Sequence, residues 1–236
     1  MNLKKNKTHF FNEVYEKQNR YIKPKEIFTN LIKIFKKEKL NKKLSLIDVG
    51  CANGELLYNL HKNFKNLDLT GIDVDNKLLK KAKLNCPSQI KFKSGNIGRK
   101  INNLGKFDII ILSGVLSIFN NGEKIMKNLF LLLKPKGKIF IFDSLNIYSH
   151  NLYIKSEEIK KNKKRIWYKN MYCTDFFKNV SKRFNKKCRF YEFRLSTNLK
   201  KNKNNFRLGW TEVLSGKKIV TNGLGLIQNQ FWIKIF

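Results

Sequence analysis

The stretch 47–57, Ile47-Asp48-Val49-Gly50-Cys51-Ala52-Asn53-Gly54-Glu55-Leu56-Leu57, decides how this chain is read. Leu44, Leu46, Ile47 and Val49 form a short apolar run, the pattern of a strand buried on both faces of a parallel sheet. Small residues then let the backbone turn sharply and approach a ligand closely. Glu55-Leu56-Leu57-Tyr58-Asn59-Leu60 reads as an amphipathic helix with an acid in its first turn, where the helix dipole favours one. Strand, small-residue turn and helix N-terminus make the corner at which doubly wound sheets bind nucleotides. A glycine-rich turn alone is weak evidence, so the reading depends on the downstream elements and their spacing from it.

Downstream, the chain keeps the same grammar. Leu67–Asp75 is a second strand ending in acids, and Asp73 lies 19 residues past Gly54. At that strand tip a carboxylate can accept both hydroxyls of a ribose, while Asp75 is the better N-cap for a helix over Asn76–Asn85. Ile90–Lys93 is a third strand running into Ser94-Gly95-Asn96-Ile97, where a polar and an apolar residue can bond and flank an adenine or simply make a turn. Phe107–Leu112 is the most apolar run, the central fourth strand, opening into Ser113-Gly114-Val115-Leu116. A helix is predicted over Gly122–Lys134, closed by Pro135 and Gly137, before a fifth strand over Lys138–Asp143. Such alternation requires a parallel sheet with helices on both faces.

The flanks differ. In residues 1–43 the spacing of Ile27, Leu31, Ile34 and Phe35 predicts a helix near Pro24–Lys39. Phe10, Phe11, Tyr15, Arg20 and Tyr21 precede it, as edge packing or as a lid over the ligand. Beyond Ser144, residues 144–171 are polar and aromatic without clean periodicity and carry the basic run Lys160-Lys161-Asn162-Lys163-Lys164-Arg165. Tyr172–Phe184 returns to helical spacing, and Phe190–Leu195 and Gln228–Phe236 alternate as strands. Thr197–Gly225 is too long for an idle loop. The expected organisation is a helical lead-in, 1–43, and one domain, 44–236, with insertions at about 144–171 and 197–225 that shape an acceptor pocket.

Composition narrows the class. The chain has 236 residues, 42% hydrophobic, with 19 Phe, which suits one elaborated domain and not a disordered chain. No apolar run approaches the roughly 18 residues of a membrane span, and no signal-peptide core succeeds the basic N-terminus, so a cytoplasmic protein is expected. Cys51, Cys86, Cys173 and Cys188 are scattered, with neither disulfide nor metal-ligand spacing, and are expected to be reduced thiols with no metal site. The net charge of +33 suggests a polyanionic partner, yet only 7 of the 50 basic residues are Arg and the charge is evenly spread. The 30 Asn that accompany the Lys point to an AT-rich coding background.

The pieces IDVGCANGELL, GIDVD, SGNI, FDIIILSGVL and LLKPKGKIFIFD resemble, in order and spacing, the successive motifs of the class I S-adenosylmethionine-dependent methyltransferases. The resemblance covers residues 44–145. It implies a Rossmann-like α/β fold, a doubly wound, mostly parallel seven-stranded sheet of order 3-2-1-4-5-7-6 whose last strand is antiparallel. By the same resemblance Asp48, Gly50, Cys51, Ala52 and Gly54 surround the methionine end of S-adenosylmethionine, with Ala52 replacing the family's usual central glycine. Asp73 with Val74 takes the ribose, Asn96 and Ile97 the adenine, and Ser113-Gly114 line the methionine portion. A dinucleotide dehydrogenase is disfavoured on physical grounds, since Glu55 stands where its third glycine belongs and would repel a pyrophosphate.

The acceptor is less legible. Sulfonium transfer is an in-line displacement that positioning can largely catalyse, and no general base is obvious. Among His9, His61 and His150 the last is best placed, beyond the fifth strand, with Tyr148 comparable and Tyr153, Tyr168 and Tyr172 able to shape a pocket. Ser113-Gly114-Val115-Leu116 resembles the small-molecule members of the family, so a small-molecule or glycan-type acceptor is expected. One alternative is RNA methylation, with the basic run and Trp167 and Tyr168 stacking on bases; another is a non-catalytic binding module.

Overall fold

The computed structural model describes residues 20–38, 40, 42–99, 104–160, 163–201 and 208–236. Phe10, Phe11, Tyr15 and His9 of the lead-in lie outside the described residues. Helix α1 (Glu26–Lys37) leads into strand β1 (Leu44–Val49), helix α2 (Glu55–Asn63), β2 (Leu67–Asp73), α3 (Asn76–Asn85) and β3 (Lys91–Ser94). The second half runs β4 (Phe107–Ser113), a 3-10 turn (Leu116–Ile118), α4 (Gly122–Leu131) and β5 (Leu133–Leu145). Then come β6 (Leu152–Lys160), β7 (Lys163–Met171), α5 (Thr174–Arg183), β8 (Cys188–Phe193), β9 (Trp210–Leu214), β10 (Lys217–Thr221) and β11 (Asn229–Ile235).

Seven strands form one sheet in the order β3-β2-β1-β4-β5-β11-β8. The first five run parallel, and β11 is antiparallel to both of its neighbours. The predicted doubly wound α/β fold is therefore present, with β11 in the reversed position. Consecutive residues of each strand feed opposite faces. Leu46 packs with α1, α2 and α3 on one side, and Ile47 and Val49 pack with α4 and α5 on the other. α1 buries Phe28, Leu31, Ile32, Ile34 and Phe35, the stripe its spacing predicts.

Two expectations are corrected. The predicted helix over 122–134 stops at Leu131, and β5 begins at Leu133, ahead of Pro135 and Gly137. Leu133 already pairs with Phe107; the ladder then breaks register and resumes at Lys138 opposite Ile109. Pro135, which has no N–H for a ladder, lies in the irregular part. Residues 144–171 are not irregular either. They form an antiparallel hairpin, β6–β7, paired without interruption from Leu152↔Met171 to Lys160↔Lys163 and separate from the main sheet. The 197–225 segment contains a second hairpin, β9–β10. Among the described residues no helix is long and apolar enough to cross a membrane.

At the amino end of β5 and the far end of β11, Glu38 accepts from Lys138 (2.6 Å) and Lys234 (2.5 Å). The Lys234 ammonium is almost fully buried there, and Glu38 is its counter-ion. Burial raises the Glu38 carboxyl, but the bonds from Lys138 and Lys234 outweigh it and hold the group below its ordinary value. The stability that this lowering contributes is present above the ordinary carboxylate range and lost as pH falls below it. Glu38→Ala should lower the unfolding free energy by about 3 kcal/mol at neutral pH, because it strands a buried cation. Urea titrations at neutral and acid pH check this, and the gap to the parent protein should narrow in acid.

Candidate functional site

The predicted site residues fall at the carboxyl ends of four adjacent strands, β3, β2, β1 and β4. Beyond Val49 the chain turns over those ends with Gly50, Ala52 and Gly54 all left-handed (φ 81°, 49° and 80°). The Gly50 and Cys51 N–H groups donate to the Ile72 carbonyl (2.8 and 3.0 Å), and the Gly54 N–H to the Cys51 carbonyl (2.9 Å). A β-carbon on Gly50 would lie 2.5 Å from Val115 Cγ2, and one on Gly54 would lie 2.8 Å from Phe92 Cζ. Ala52 does carry one in the left-handed region, a strain of about 1 kcal/mol.

Asp73 holds this loop. Its Oδ2 accepts from the Ala52 N–H and its Oδ1 from the Asp75 N–H, both at 2.9 Å. Asp75 caps α3, accepting from Lys77 and Leu78, as its position predicts. Beside Asp73 the Val74 side chain is 50% exposed, an apolar surface at a strand tip. Asn96 is exposed, with Oδ1 accepting from the Gly98 N–H (2.8 Å), and Ile97 is buried beneath. Ser113 ends β4; Gly114 is left-handed (φ 67°), donates to the Phe142 carbonyl (2.7 Å), and a β-carbon there would meet nothing within 4 Å.

The electrostatics of this rim are acidic. Asp48 is fully enclosed, and burial, with Asp73 nearby, pushes its carboxyl up to about 7. Burial also raises Asp73, with the N–H groups of Asp75 and Ala52 opposing that shift. Glu55, in the first turn of α2, is buried and accepts from the Arg20 N–H (2.8 Å). Tyr21 donates to the Asn53 carbonyl (2.5 Å), so the described end of the lead-in is tied to the loop. A phosphate would meet carboxylates at this helix start, whereas a phosphate-free cation would gain from them. The residues present therefore fit a sulfonium nucleoside.

A second set of groups lies beyond β4 and β5. Asp143 is buried, with Oδ2 accepting from the Ser117 N–H (3.0 Å) and Oδ1 from the Ser144 N–H (2.9 Å). The Lys169 ammonium of β7 stands 3.8 Å from Asp143 and 3.4 Å from Ser117 Oγ. Burial raises the Asp143 carboxyl and Lys169 opposes that shift. Asn120, Tyr153, Ile154, Lys155 and Tyr168 line an open pocket of about 370 Å³. Of the predicted pocket tyrosines, Tyr153 and Tyr168 are in its wall, Tyr172 is buried against Phe176, and Tyr148 and His150 are exposed on the loop after β5. Trp167 is 5% exposed and presents no face to a base, which corrects its expected stacking role. Sequence reasoning missed Asp143 and Lys169 as site groups. An acid closing an apolar strand was a signal for the first; one lysine among so many carried none for the second.

A family model described as a methyltransferase domain matches residues 40–208. The chain belongs to the class I S-adenosylmethionine-dependent methyltransferase family. Its sequence relatives include a ubiquinone biosynthesis O-methyltransferase of Coxiella burnetii, 31% identical over 104 residues, 43% of each chain. A malonyl-[acyl-carrier protein] O-methyltransferase of Priestia megaterium is 25% identical over 100 residues, 42% of this chain and 36% of that one. The chain thus matches less than half the length of either. A solved methyltransferase structure from Methanosarcina mazei shares the fold, with a TM-score of 0.58 at 15% identity over 85% of this chain and 95% of that one.

In this chain the enclosed Asp48 costs stability when ionised. Its folded pKa is raised, so its contribution is full below the ordinary carboxylate range and is lost as pH rises towards about 7. Asp48→Asn, which cannot ionise, should melt above the parent at pH values beyond about 7, with the advantage shrinking in acid. Calorimetric melting across that range checks the sign.

Proposed function

We propose that this methyltransferase carries a methyl group from S-adenosylmethionine to a small-molecule or glycan-type acceptor, at oxygen or nitrogen. The observation that carries the reading is the acid-lined, left-handed loop between β1 and α2, clamped by Asp73 at the carboxyl ends of the parallel strands. When bound, the cofactor supplies an activated methyl group on a positive sulfur. Asp73 would accept the ribose hydroxyls through lone pairs that its two backbone bonds leave over. Val74, half exposed at the tip of β2, would flank the adenine, Asn96 would bond its edge, and the buried Ile97 would support that surface from beneath. Gly50, Cys51, Ala52, Gly54, Ser113 and Gly114 would pass close to the methionine portion, and Asp48 and Asp73 would favour its charge.

For an in-line displacement the chain's work is to orient the acceptor and exclude water. The cavity walled by Tyr153, Ile154, Lys155 and Tyr168 has the size of a small-ligand site. Lys169, the residue after Tyr168 on β7, bridges Ser117 and Asp143. Both sequence relatives are named as O-methyltransferases, which favours oxygen as the acceptor atom.

Titration calorimetry should show S-adenosylmethionine binding that weakens at least about ten-fold in Asp73→Ala with the fold retained by circular dichroism. Affinity should also rise as pH passes about 7, because the charged Asp48 favours a cation, while S-adenosylhomocysteine, with its neutral sulfur, should respond less. Undiminished binding in Asp73→Ala overturns the assignment. With labelled cofactor and a cell extract, label should enter the small-molecule or glycan fraction, and Tyr168→Ala should reduce that transfer while cofactor affinity stays within a few-fold. Label confined to RNA overturns the acceptor class.

A further inference from the structure

The sheet edge that carries the site changes sign along its length. Under the β1–α2 loop lie the acids Asp48 and Asp73. Beyond β4 and β5 stand two lysines, Lys169 beside Ser117 and Lys155 in the pocket wall. Few residues separate the two regions. Ser113, which ends β4, pairs with Phe142, and Asp143 is the next residue of β5. Val115, which a β-carbon on Gly50 would strike, precedes Ser117 by two residues. Across the ladder from Lys169 is Ile154, which lines the pocket together with Tyr168, the residue before Lys169.

Lys169 is not held as the structural ion pairs of this fold are held. Glu38 takes Lys138 and Lys234 at 2.6 and 2.5 Å. The Lys169 ammonium stands 3.8 Å from Asp143, beyond hydrogen-bond reach, although its side chain is only 22% exposed. Asp143 is satisfied instead by the N–H groups of Ser117 and Ser144. Among the described residues the ammonium makes one hydrogen bond, to Ser117 Oγ at 3.4 Å, so two of its three donors are left over. A largely desolvated cation with spare donors gains from an anion.

Those donors discriminate among methyl acceptors. An amine, itself protonated at neutral pH, would be repelled by Lys169 and Lys155. A hydroxyl must lose its proton on reaction, and Asp143, the acid of this cluster, is committed to two N–H groups. A carboxylate is already an anion at neutral pH, and its two oxygens match the two spare donors. We propose that the acceptor is a carboxylate on a small molecule, held by the Lys169 ammonium, and that the product is its methyl ester. This rests on the cofactor reading above and narrows its acceptor. In the transfer a carboxylate oxygen forms the bond to the methyl carbon as the carbon–sulfur bond breaks, its electron pair staying on sulfur. No proton moves. The charges of sulfonium and carboxylate cancel, so both products leave a site arranged for charged reactants.

The test incubates the full chain with methyl-labelled S-adenosylmethionine and the small-molecule fraction of a cell extract, then treats the products with mild alkali. Methyl esters release their label as volatile methanol, whereas methyl ethers and methylamines keep it. Most of the transferred label should be volatile. Label that survives alkali overturns the carboxylate and leaves methyl transfer to small molecules standing; no transfer at all overturns that broader reading as well. Lys169→Met should lower the initial rate of volatile label at least about ten-fold in dilute extract and less in concentrated extract, with S-adenosylmethionine affinity within a few-fold by calorimetry. Lys169→Arg, which keeps the cation, should recover most of that rate. An unchanged rate in Lys169→Met overturns the assignment, as does a loss in Lys169→Arg as large as that in Lys169→Met.

Discussion

The carboxylate of Asp73 is the constraint on which the site depends. The β1–α2 loop turns through three left-handed residues, one of them an alanine, and such a loop does not hold that shape unaided. Asp73 Oδ2 fixes its middle through the Ala52 N–H, and Oδ1 fixes the start of the next loop through the Asp75 N–H. The Asp73 carbonyl takes the Gly95 N–H (3.0 Å), so the turn after β3 hangs on the same residue. One strand tip thereby sets the positions of three loops. Because β2 lies between β1 and β3, any displacement of that tip would move the whole rim together.

The same carboxylate has an electrostatic cost. Asp48 and Asp73 are held in one low-dielectric corner, and burial raises both. A fold selected for stability alone would place neutral groups there. Acids held together with no basic partner among the described residues store unfavourable energy that a bound cation relieves, a common way for a site to be prepared for its ligand. The opposite end of the molecule shows the contrast. Glu38 there has two lysine partners and is stabilised as the anion.

Beyond β5 the chain departs from the regular alternation, and the Asp143 cluster and the pocket lined by Tyr153 and Tyr168 draw on it. The hairpin contributes Lys169 to the Asp143 and Ser117 cluster, and Tyr153, Ile154, Lys155 and Tyr168 to the pocket wall. Asn170 ties it down by donating to the Phe119 carbonyl (2.7 Å) and to Asn120 Oδ1 (3.1 Å). A two-stranded element anchored at its base can vary in sequence without disturbing the β1–α2 loop, because its cross-strand ladder joins only its own two strands.

The sequence by itself determined the strand–turn–helix at 44–60, the parallel alternation through β5 and the capping of α3 by Asp75. These rest on short-range patterns: apolar runs, glycine positions and cap chemistry that act within a few residues. It also anticipated the buried stripe of α1, because a single apolar face is read directly from helical spacing. What only the tertiary structure decided were pairings between distant residues. The clamp of Ala52 by Asp73, the approach of Lys169 to Asp143, and the early start of β5 at Leu133 opposite Phe107 are all of this kind. The hairpin was hidden for a related reason. Tyr153, Lys155, Glu157 and Ile159 share a face but mix apolar with charged, since that face meets no core, and alternation is legible only where one side of a strand is buried.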